Sequence, residues 1–277
     1  MGMRRLATLL LVTVLAGCGT ASSSSGLKAV PTPTVSADPA SLVGFWAVKE
    51  DGKQTGVLRV GSELTLFLDC GAFTATWKAA PDGGFVAYSA GGSGSCFPKS
   101  GSLLPEWMHA AQGYRVDGED RSLIDGAGAR LVTLTPTTAP KIPSTMNPDV
   151  YGKTPTQEEA KNSLVAEAAP VPSDLTPVTM DSLTGITWRA VDNDKGVLTF
   201  KPDGSFGGSD GCNGTGGRYA LGADGEILSA TGPSTLIACG NSNDVYKVRE
   251  TARLARDGKQ LVLLDASAHE LARFTAS

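Results

Sequence analysis

Four cysteines, arranged as two pairs with similar spacing, are the residues whose chemistry is easiest to predict. Cys70 precedes Cys96 by 26 positions, and Cys212 precedes Cys239 by 27. Paired cysteines in an exported chain are typical of a disulfide framework. A zinc site is the alternative, but it requires closely spaced cysteine or histidine ligands, and a redox pair requires Cys-x-x-Cys. The sequence has neither spacing, so we favour disulfides.

A glycine-rich stretch surrounds the third of these cysteines and contains one polar residue that could bind a ligand. It runs from Phe206 to Tyr219, FGGSDGCNGTGGRY, and places Asn213 between Cys212 and Gly214. Asparagine tolerates left-handed backbone angles and caps turns with its side chain, which is the structural interpretation. The alternative is that Asn213 hydrogen-bonds a ligand. The glycines do not predict a phosphate loop, because no Lys-Ser/Thr follows them and no βαβ unit is present.

The titratable side chains do not form a catalytic or metal-binding pattern. His109 and His269 lie far apart in the chain, and no Gly-x-Ser-x-Gly surrounds a serine. Glu158 and Glu159 are adjacent, so their carboxylates diverge on a helix. The Asp-rich run at residues 192–194 lacks the spacing of an EF-hand calcium loop. We therefore predict a non-enzymatic protein without a cofactor or metal, and rank a hydrolase with a histidine beside a serine third.

The N-terminus has the pattern of an export signal. Residues 1–18 read MGMRRLATLLLVTVLAGC, with two arginines before an apolar segment that is too short to span a bilayer. This segment resembles the bacterial lipoprotein signal, whose cysteine is diacylated and becomes the first residue after cleavage. The resemblance implies that Cys18 carries the lipid (palmitate) and anchors the protein to the extracytoplasmic face of the cell membrane. An ordinary secretory signal with a chance cysteine is the alternative.

The charge of the chain argues against two classes of partner. The net charge is −4, and removal of residues 1–17 would leave 22 basic and 28 acidic side chains. Nucleic acids require a clustered basic surface, and anionic lipid surfaces attract polybasic segments. We therefore expect no nucleic acid, and membrane contact only through the acylated Cys18.

The elements that position these residues are short strands separated by turns, which predicts a mainly β (α+β) fold. Dipeptides such as Asp-Gly punctuate alternating apolar runs. We expect one helix near residues 105–112 and another from about 243 to 255. The predicted organisation is a signal peptide (1–17), a disordered tether (18–40), a first domain (41–136), a Pro-rich linker (137–181) and a second domain (182–277). Within the linker, Thr154 is expected to cap one short helix, and the proline density to exclude a packed sheet.

The two predicted domains are similar in sequence. Trp46 corresponds to Trp188 and Cys70 to Cys212, both at an offset of 142 residues. Cys96 corresponds to Cys239 at an offset of 143. A period of this length indicates a duplicated domain. The expected disulfides, Cys70–Cys96 and Cys212–Cys239, are then both intradomain and would each close a loop of about 26 residues, worth roughly 3–4 kcal/mol.

The second domain resembles the META domain, the HslJ-like family of bacterial envelope proteins. The resemblance depends on the Leu-x-Gly opening before Trp188, on Gly-Cys-Asn-x3-Gly-x-Tyr from Gly211 to Tyr219, and on Thr-x3-Cys ending at Cys239. It implies a small, antiparallel, partly barrel-like β domain with one packed helix. The first domain departs from the motif, since Asp69 and Gly71 flank its cysteine, and we interpret it as a degenerate copy.

These observations predict a monomeric envelope lipoprotein with tandem META-like domains. The leading hypothesis is a non-enzymatic role in envelope stress tolerance, or binding of an unknown partner at the surface. The alternative is a small-molecule or lipid binder, because partly open β-barrels often hold ligands in their mouths. An apolar cavity larger than about 300 Å³ in either domain would favour the binder.

Overall fold

A computed structural model of the protein describes residues 37–95, 104–235, 237 and 244–277. The predicted signal peptide, the predicted lipidation residue Cys18 and residues 19–36 of the tether lie outside the described residues. The same applies to Cys96 and Cys239. The prediction of disorder through residue 40 was wrong at its end, because Pro39–Leu42 form a 3-10 helix capped by Asp38. No helix of the described part is long and apolar enough to cross a membrane.

The first sheet contains eight antiparallel strands in the order β5-β4-β3-β2-β1-β8-β7-β6. Its strands alternate buried and exposed side chains at many positions, as expected for a sheet with one face in a core. The strands are β1 (Gly44–Glu50), β2 (Lys53–Val60), β3 (Leu64–Leu68), β4 (Gly71–Ala79), β5 (Phe85–Gly94), β6 (Gly113–Asp117), β7 (Asp120–Ile124) and β8 (Arg130–Pro136).

The second sheet has nine strands in the order β14-β13-β12-β11-β10-β17-β16-β15-β9. Apart from β9, this is the strand order of the first sheet. The mainly β, antiparallel fold predicted from the sequence is therefore confirmed. The strands are β9 (Thr176–Pro177), β10 (Thr187–Ala190), β11 (Val197–Phe200), β12 (Ser205–Ser209), β13 (Gly214–Leu221), β14 (Ile227–Thr231), β15 (Arg253–Asp257), β16 (Gln260–Leu264) and β17 (Glu270–Ala276).

Each sheet curls until strands at or next to its two edges meet at one end. In the first sheet the Phe85 amide donates to the carbonyl of Gln112 at 3.0 Å, which joins the start of β5 to the start of β6. In the second, the Ile227 amide donates to the Ala252 carbonyl at 3.0 Å and joins β14 to β15. Both sheets are consequently half-closed barrels.

A tryptophan anchors the core of each half-barrel in the same way. Trp46 and Trp188 are 5% and 0% exposed. Their indole N–H groups donate to the carbonyls of Leu42 (2.7 Å) and Leu183 (3.0 Å), so burial leaves neither donor unsatisfied. Both tryptophans are therefore core anchors of their sheets.

A short helical segment packs against each sheet, although only the first matches its predicted length. Helix α1 (Glu106–Ala110) lies within the predicted range and buries Trp107 and Met108. In the second domain the helix is a 3-10 helix, Asp244–Arg249. The prediction of a helix through residue 255 was wrong, because Ala255 belongs to β15 and pairs with Val262 of β16. Pairing in the sheet overrides the helical spacing of the apolar residues.

The linker is structured and contains more than the one predicted helix. Its elements include α2 (Pro148–Tyr151), α3 (Gln157–Ala160) and the start of α4 (Met180–Leu183). The cap of α3 is Thr156, not Thr154: the Thr156 hydroxyl accepts the Glu159 amide, and the Glu159 carboxylate accepts the Thr156 amide, which completes a capping box. The expectation that prolines exclude a sheet was also wrong. Pro177 lies in β9, an edge strand, where its missing N–H is tolerated.

The linker contacts both half-barrels. The Ala79 amide of β4 donates to Ser163, and the Val165 amide donates back to Ala79, at 2.9 and 2.8 Å. Ala160 is fully buried in the first core, and β9 extends the second sheet beside β15.

The two half-barrels also pack on each other directly. Val86 of β5 is buried together with Ala220, Leu228 and Ala230 of the second sheet. The Thr76 hydroxyl donates to the Thr231 carbonyl at 2.8 Å across the same contact. Because this cluster excludes water, the two domains are fixed to each other by a small apolar core of their own.

Candidate functional site

The sequence motif around the third cysteine folds into a tight corner between β12 and β13. Asp210 is 3% exposed, and one of its carboxylate oxygens accepts the amides of Cys212 (2.7 Å) and Asn213 (2.6 Å). These hydrogen bonds, chiefly that from the Asn213 amide, lower the pKa of Asp210 against the opposing effect of burial. Asn193 closes the corner by donating to the Asp210 carbonyl at 2.9 Å. The buried polar groups of the corner are therefore hydrogen-bonded to one another.

Asn213, the predicted candidate for ligand binding, uses its side chain within this corner. It is 5% exposed. Its amide nitrogen donates to the Ile237 carbonyl at 2.8 Å, and its amide oxygen accepts the Ile237 amide at 2.7 Å. The side chain thus pairs with the backbone as a neighbouring strand would. This geometry favours the structural interpretation, and the binding role stays a prediction.

The structure brings neighbours of the predicted cysteine partners together. The Ser95 amide, one residue before Cys96, donates to the Cys70 carbonyl at 2.7 Å. In the second domain, Asn213 beside Cys212 holds Ile237, two residues before Cys239. Because Cys96 and Cys239 lie outside the described residues, both pairings stay predictions that these contacts support.

The two histidines lie in different places. The Arg218 guanidinium donates to Nε2 of His109 at 3.0 Å where the two domains meet. His269 is 80% exposed in the β16–β17 turn, with Nδ1 3.3 Å from an Asp265 oxygen. Within the described residues, no group of three or more His, Cys, Asp or Glu side chains has the geometry to hold a metal.

A cavity of about 280 Å³ lies between the two domains. Three parts of the chain form its walls: the β4–β5 turn, linker residues 165–168, and the segments around β14. Half of the fourteen lining residues are alanine or glycine, which leaves the space unfilled. Gly84 is needed at this junction, since a Cβ there would lie 2.9 Å from Cδ1 of Leu228. The complete lining is Ala80, Pro81, Asp82, Gly84, Val165, Ala166, Glu167, Ala168, Ala220, Gly222, Glu226, Ile227, Leu228 and Ala252.

The polar side chains of this wall are all acidic. They are Asp82 from the first domain, Glu167 from the linker and Glu226 from the second domain. Arg253 donates to a Glu226 oxygen at 2.8 Å from behind the wall. Burial raises the pKa of Glu226; Arg253 opposes that shift, whereas the nearby charges, first that of Asp82, add to it.

Sequence reasoning did not find this site, because no single segment carries it. The expectation was a ligand in the mouth of one barrel, whereas this cavity lies between the two. Asp82 lies in the turn between β4 and β5, and Ala166 and Ala168 lie in the linker. In each of these segments a small residue lies beside an acidic residue. This pattern indicates a site only once the two domains are packed together.

Comparison with known proteins identifies part of the chain. The family model of the META domain matches residues 179–277, which include the corner at Asn213 and strands β10 to β17 of the second sheet but not β9. A comparison with curated proteins gives no significant match.

Proposed function

Because residues 179–277 form a META domain, we propose that this chain is a non-enzymatic envelope lipoprotein that binds a small molecule between two META-like domains. The observation that carries the proposal is the cavity of about 280 Å³ between the half-barrels. Its volume is slightly below the lower limit of about 300 Å³ for small-molecule sites, and it lies between the domains, so the criterion of a larger cavity within either domain is not met. Its walls are mostly apolar with a few polar groups that converge, which is the usual composition of such a site.

In this proposal the first domain, residues 41–136, is a degenerate copy of the META domain. The identical order of eight strands supports this, since chance rarely reproduces such an order. The equivalent tryptophans, Trp46 and Trp188, each donate to a main-chain carbonyl just before the first strand. Duplication would explain why both copies are needed, because the cavity has walls from each.

Binding is tested by filling the cavity from its rim. Ala166 lines the cavity and is exposed, so Ala166→Trp should block the site without disturbing a core. Native mass spectrometry of protein released from its own membranes should detect a bound small molecule in the wild type. We expect the adduct to disappear in Ala166→Trp.

The matched control is Ala127→Trp, which adds the same side chain at an exposed alanine in the β7–β8 turn. It should keep the adduct. Equal occupancy in Ala166→Trp and Ala127→Trp, or no adduct in any form, would refute binding in this cavity.

Membrane anchoring through Cys18 is the second part of the proposal. The lipoprotein signal at residues 1–18 supports it. Two or three acyl chains give stable anchoring, since each buried methylene contributes about 0.8 kcal/mol. We expect Cys18→Ser to move the protein from the membrane fraction to the soluble fraction, measured by fractionation and immunoblotting. A variant that stays in the membrane fraction would contradict lipid anchoring.

Binding of a partner protein at the cell surface is a second candidate function. Either binding function would contribute to envelope stress tolerance. In the second sheet β9 covers β15. In the first sheet the start of β5 meets β6 only near Gly113 and Tyr114, and no other described strand covers that side of β6. Val116 of β6 is 41% exposed. An uncovered edge can accept an extended segment of another protein. Ala166→Trp leaves β6 unchanged, so a function that is lost in this variant depends on the cavity and not on the edge of the sheet.

A further inference from the structure

We propose that the cavity between the domains takes a small organic cation, namely an amine on a short aliphatic body. This inference depends on the proposed function, because it names the chemical class of the ligand in the same cavity. It follows from the carboxylates, from the engagement of the nearby arginine and from the shape of the walls.

Carboxylates from the two domains come close to one point in the cavity wall. Asp82 belongs to the first domain and Glu226 to the second. One oxygen of each lies 3.5 Å from the same point, the position that a Cβ on Gly222 would occupy. Gly222 has no side chain to fill that point or to separate the charges. The two domains therefore present two carboxylates to one small volume.

Arg253 neutralises only part of this charge and is not available to an anion. It is 7% exposed. Its Nε donates to the Ala169 carbonyl (2.6 Å) and its Nη1 to the Asp224 carbonyl (3.0 Å). Its Nη2 donates to the Ala168 carbonyl and to Glu226. Four of its five N–H donors are thus engaged, and an anionic ligand would meet carboxylates instead of a guanidinium group.

An ammonium group suits this arrangement better than a neutral donor. Carboxylates brought together in a partly buried site repel each other, and a cation within hydrogen-bond distance relieves that repulsion. An ammonium group has three N–H donors, enough for both carboxylates and one further acceptor. Charge-assisted hydrogen bonds of this kind are about twice as strong as neutral ones.

The rest of the wall selects an apolar body of limited size. Val165, Ile227 and Leu228 face the cavity together with several alanines. These side chains offer no hydrogen bonds, so a ligand with a second polar end would lose hydration there without compensation. The volume of about 280 Å³ excludes large ligands. A short monoamine satisfies both constraints.

The test compares three probes of the same length: n-butylamine, n-butanol and butyrate. Calorimetric titration uses the full lipidated chain in detergent, with a detergent blank. We expect n-butylamine to bind at least about tenfold more tightly than n-butanol, and butyrate to bind weakest. Glu226→Gln and Asp82→Asn should each reduce the affinity for the amine several-fold and leave that for the alcohol unchanged. The matched control is Glu250→Gln, an exposed carboxylate that pairs with Lys247 outside the cavity.

The possible outcomes distinguish failure of the amine inference from failure of the proposed binding function. Equal affinity for amine and alcohol, abolished by Ala166→Trp, would overturn the cation and keep the binding cavity. Absence of binding for all three probes and for the co-purifying molecule would overturn both. If Glu226→Gln lowers the thermal midpoint, Glu167→Gln replaces it, since Glu167 is exposed and lines the same wall. Unchanged amine affinity in Asp82→Asn and Glu167→Gln would also refute the inference.

Discussion

Asn213 and its counterpart Gly71 solve the same problem with different residues. Asn213 pairs its side-chain amide with the backbone of Ile237. At Gly71, with φ of 151°, a Cβ would lie only 2.0 Å from the Ser93 carbonyl oxygen, so no side chain fits. The backbones of β4 and β5 approach each other directly in the first domain. The first domain thus has a glycine at the position equivalent to Asn213 because the neighbouring backbone leaves no room for a side chain.

Removal of the Asn213 side chain should destabilise the second domain. Asn213→Ala breaks two hydrogen bonds to Ile237, each worth about 0.5–1.5 kcal/mol net. We expect a loss of about 1–2 kcal/mol in the free energy of unfolding, measured by urea denaturation. Asn162→Ala, at an exposed position of the linker, is the control. Unchanged stability together with lost ligand binding would instead assign Asn213 a binding role.

The sequence predicts which residue type stands at this corner but not what it contacts. The Gly-Cys-Asn motif and the turn chemistry of asparagine identify Asn213 as a turn-forming residue. Its partner Ile237 lies 24 residues away and belongs to no regular element. Nothing in the local pattern distinguishes a side chain that pairs with a distant backbone from one that awaits a ligand.

At the scale of elements, strands were predictable where alternation and turns agreed. The β6–β7 hairpin follows from Asp117-Gly118, whose glycine has a φ of 65°. The predictions of secondary structure were wrong where pairing with a neighbouring strand determines the conformation. The chain at residues 253–257 has an apolar spacing compatible with a helix, but β16 offers it a sheet edge. Likewise β9 is a strand only because β15 lies beside it.

The two predicted disulfides would join the ends of neighbouring secondary-structure elements. We expect peptide mapping without reduction to link Cys70 to Cys96 and Cys212 to Cys239. The contact between Ser95 and Cys70 supports the first link, and that between Asn213 and Ile237 the second. Reduced protein serves as the control for peptide assignment. A link between the two domains would contradict the duplication.

At the scale of the whole molecule, the docking of the domains should depend on pH through His109. Its Nε2 accepts a hydrogen bond from Arg218 of the other domain, which requires a neutral ring. Burial, then the charge of Arg218, lowers the pKa of His109, and the Asp203 charge partly opposes this. A group with a lowered pKa in the folded state stabilises above its usual value of 6.5 and loses that contribution as the pH falls.

We therefore expect the thermal midpoint to fall between pH 7.5 and 5.5 more in the wild type than in His109→Gln. Glutamine can accept the hydrogen bond from Arg218 but does not titrate. His269→Gln, which removes an exposed histidine outside the domain contact, should keep the dependence of the wild type. Equal pH profiles for all three proteins would show that His109 does not couple pH to docking.

The matching tryptophans and cysteines predict a repeat, and the two sheets share one strand order apart from β9. The way in which the two sheets pack on each other was not predictable. The docking contact depends on Val86, Ala220 and Leu228, which look like ordinary strand residues. Because the cavity exists only at this contact, the candidate site could not be predicted before the domains were placed together.

The linker that contacts both half-barrels has a consequence for the order in which the protein matures. Ala160 completes the first core, yet it follows the last strand of that domain, which ends at Pro136. A chain that emerges N-terminus first cannot finish its first domain until the linker has followed. Beyond Ala160 the same linker continues to β9, which pairs with β15 of the second sheet. The segment that completes the first core is therefore also the segment that leads into the second sheet.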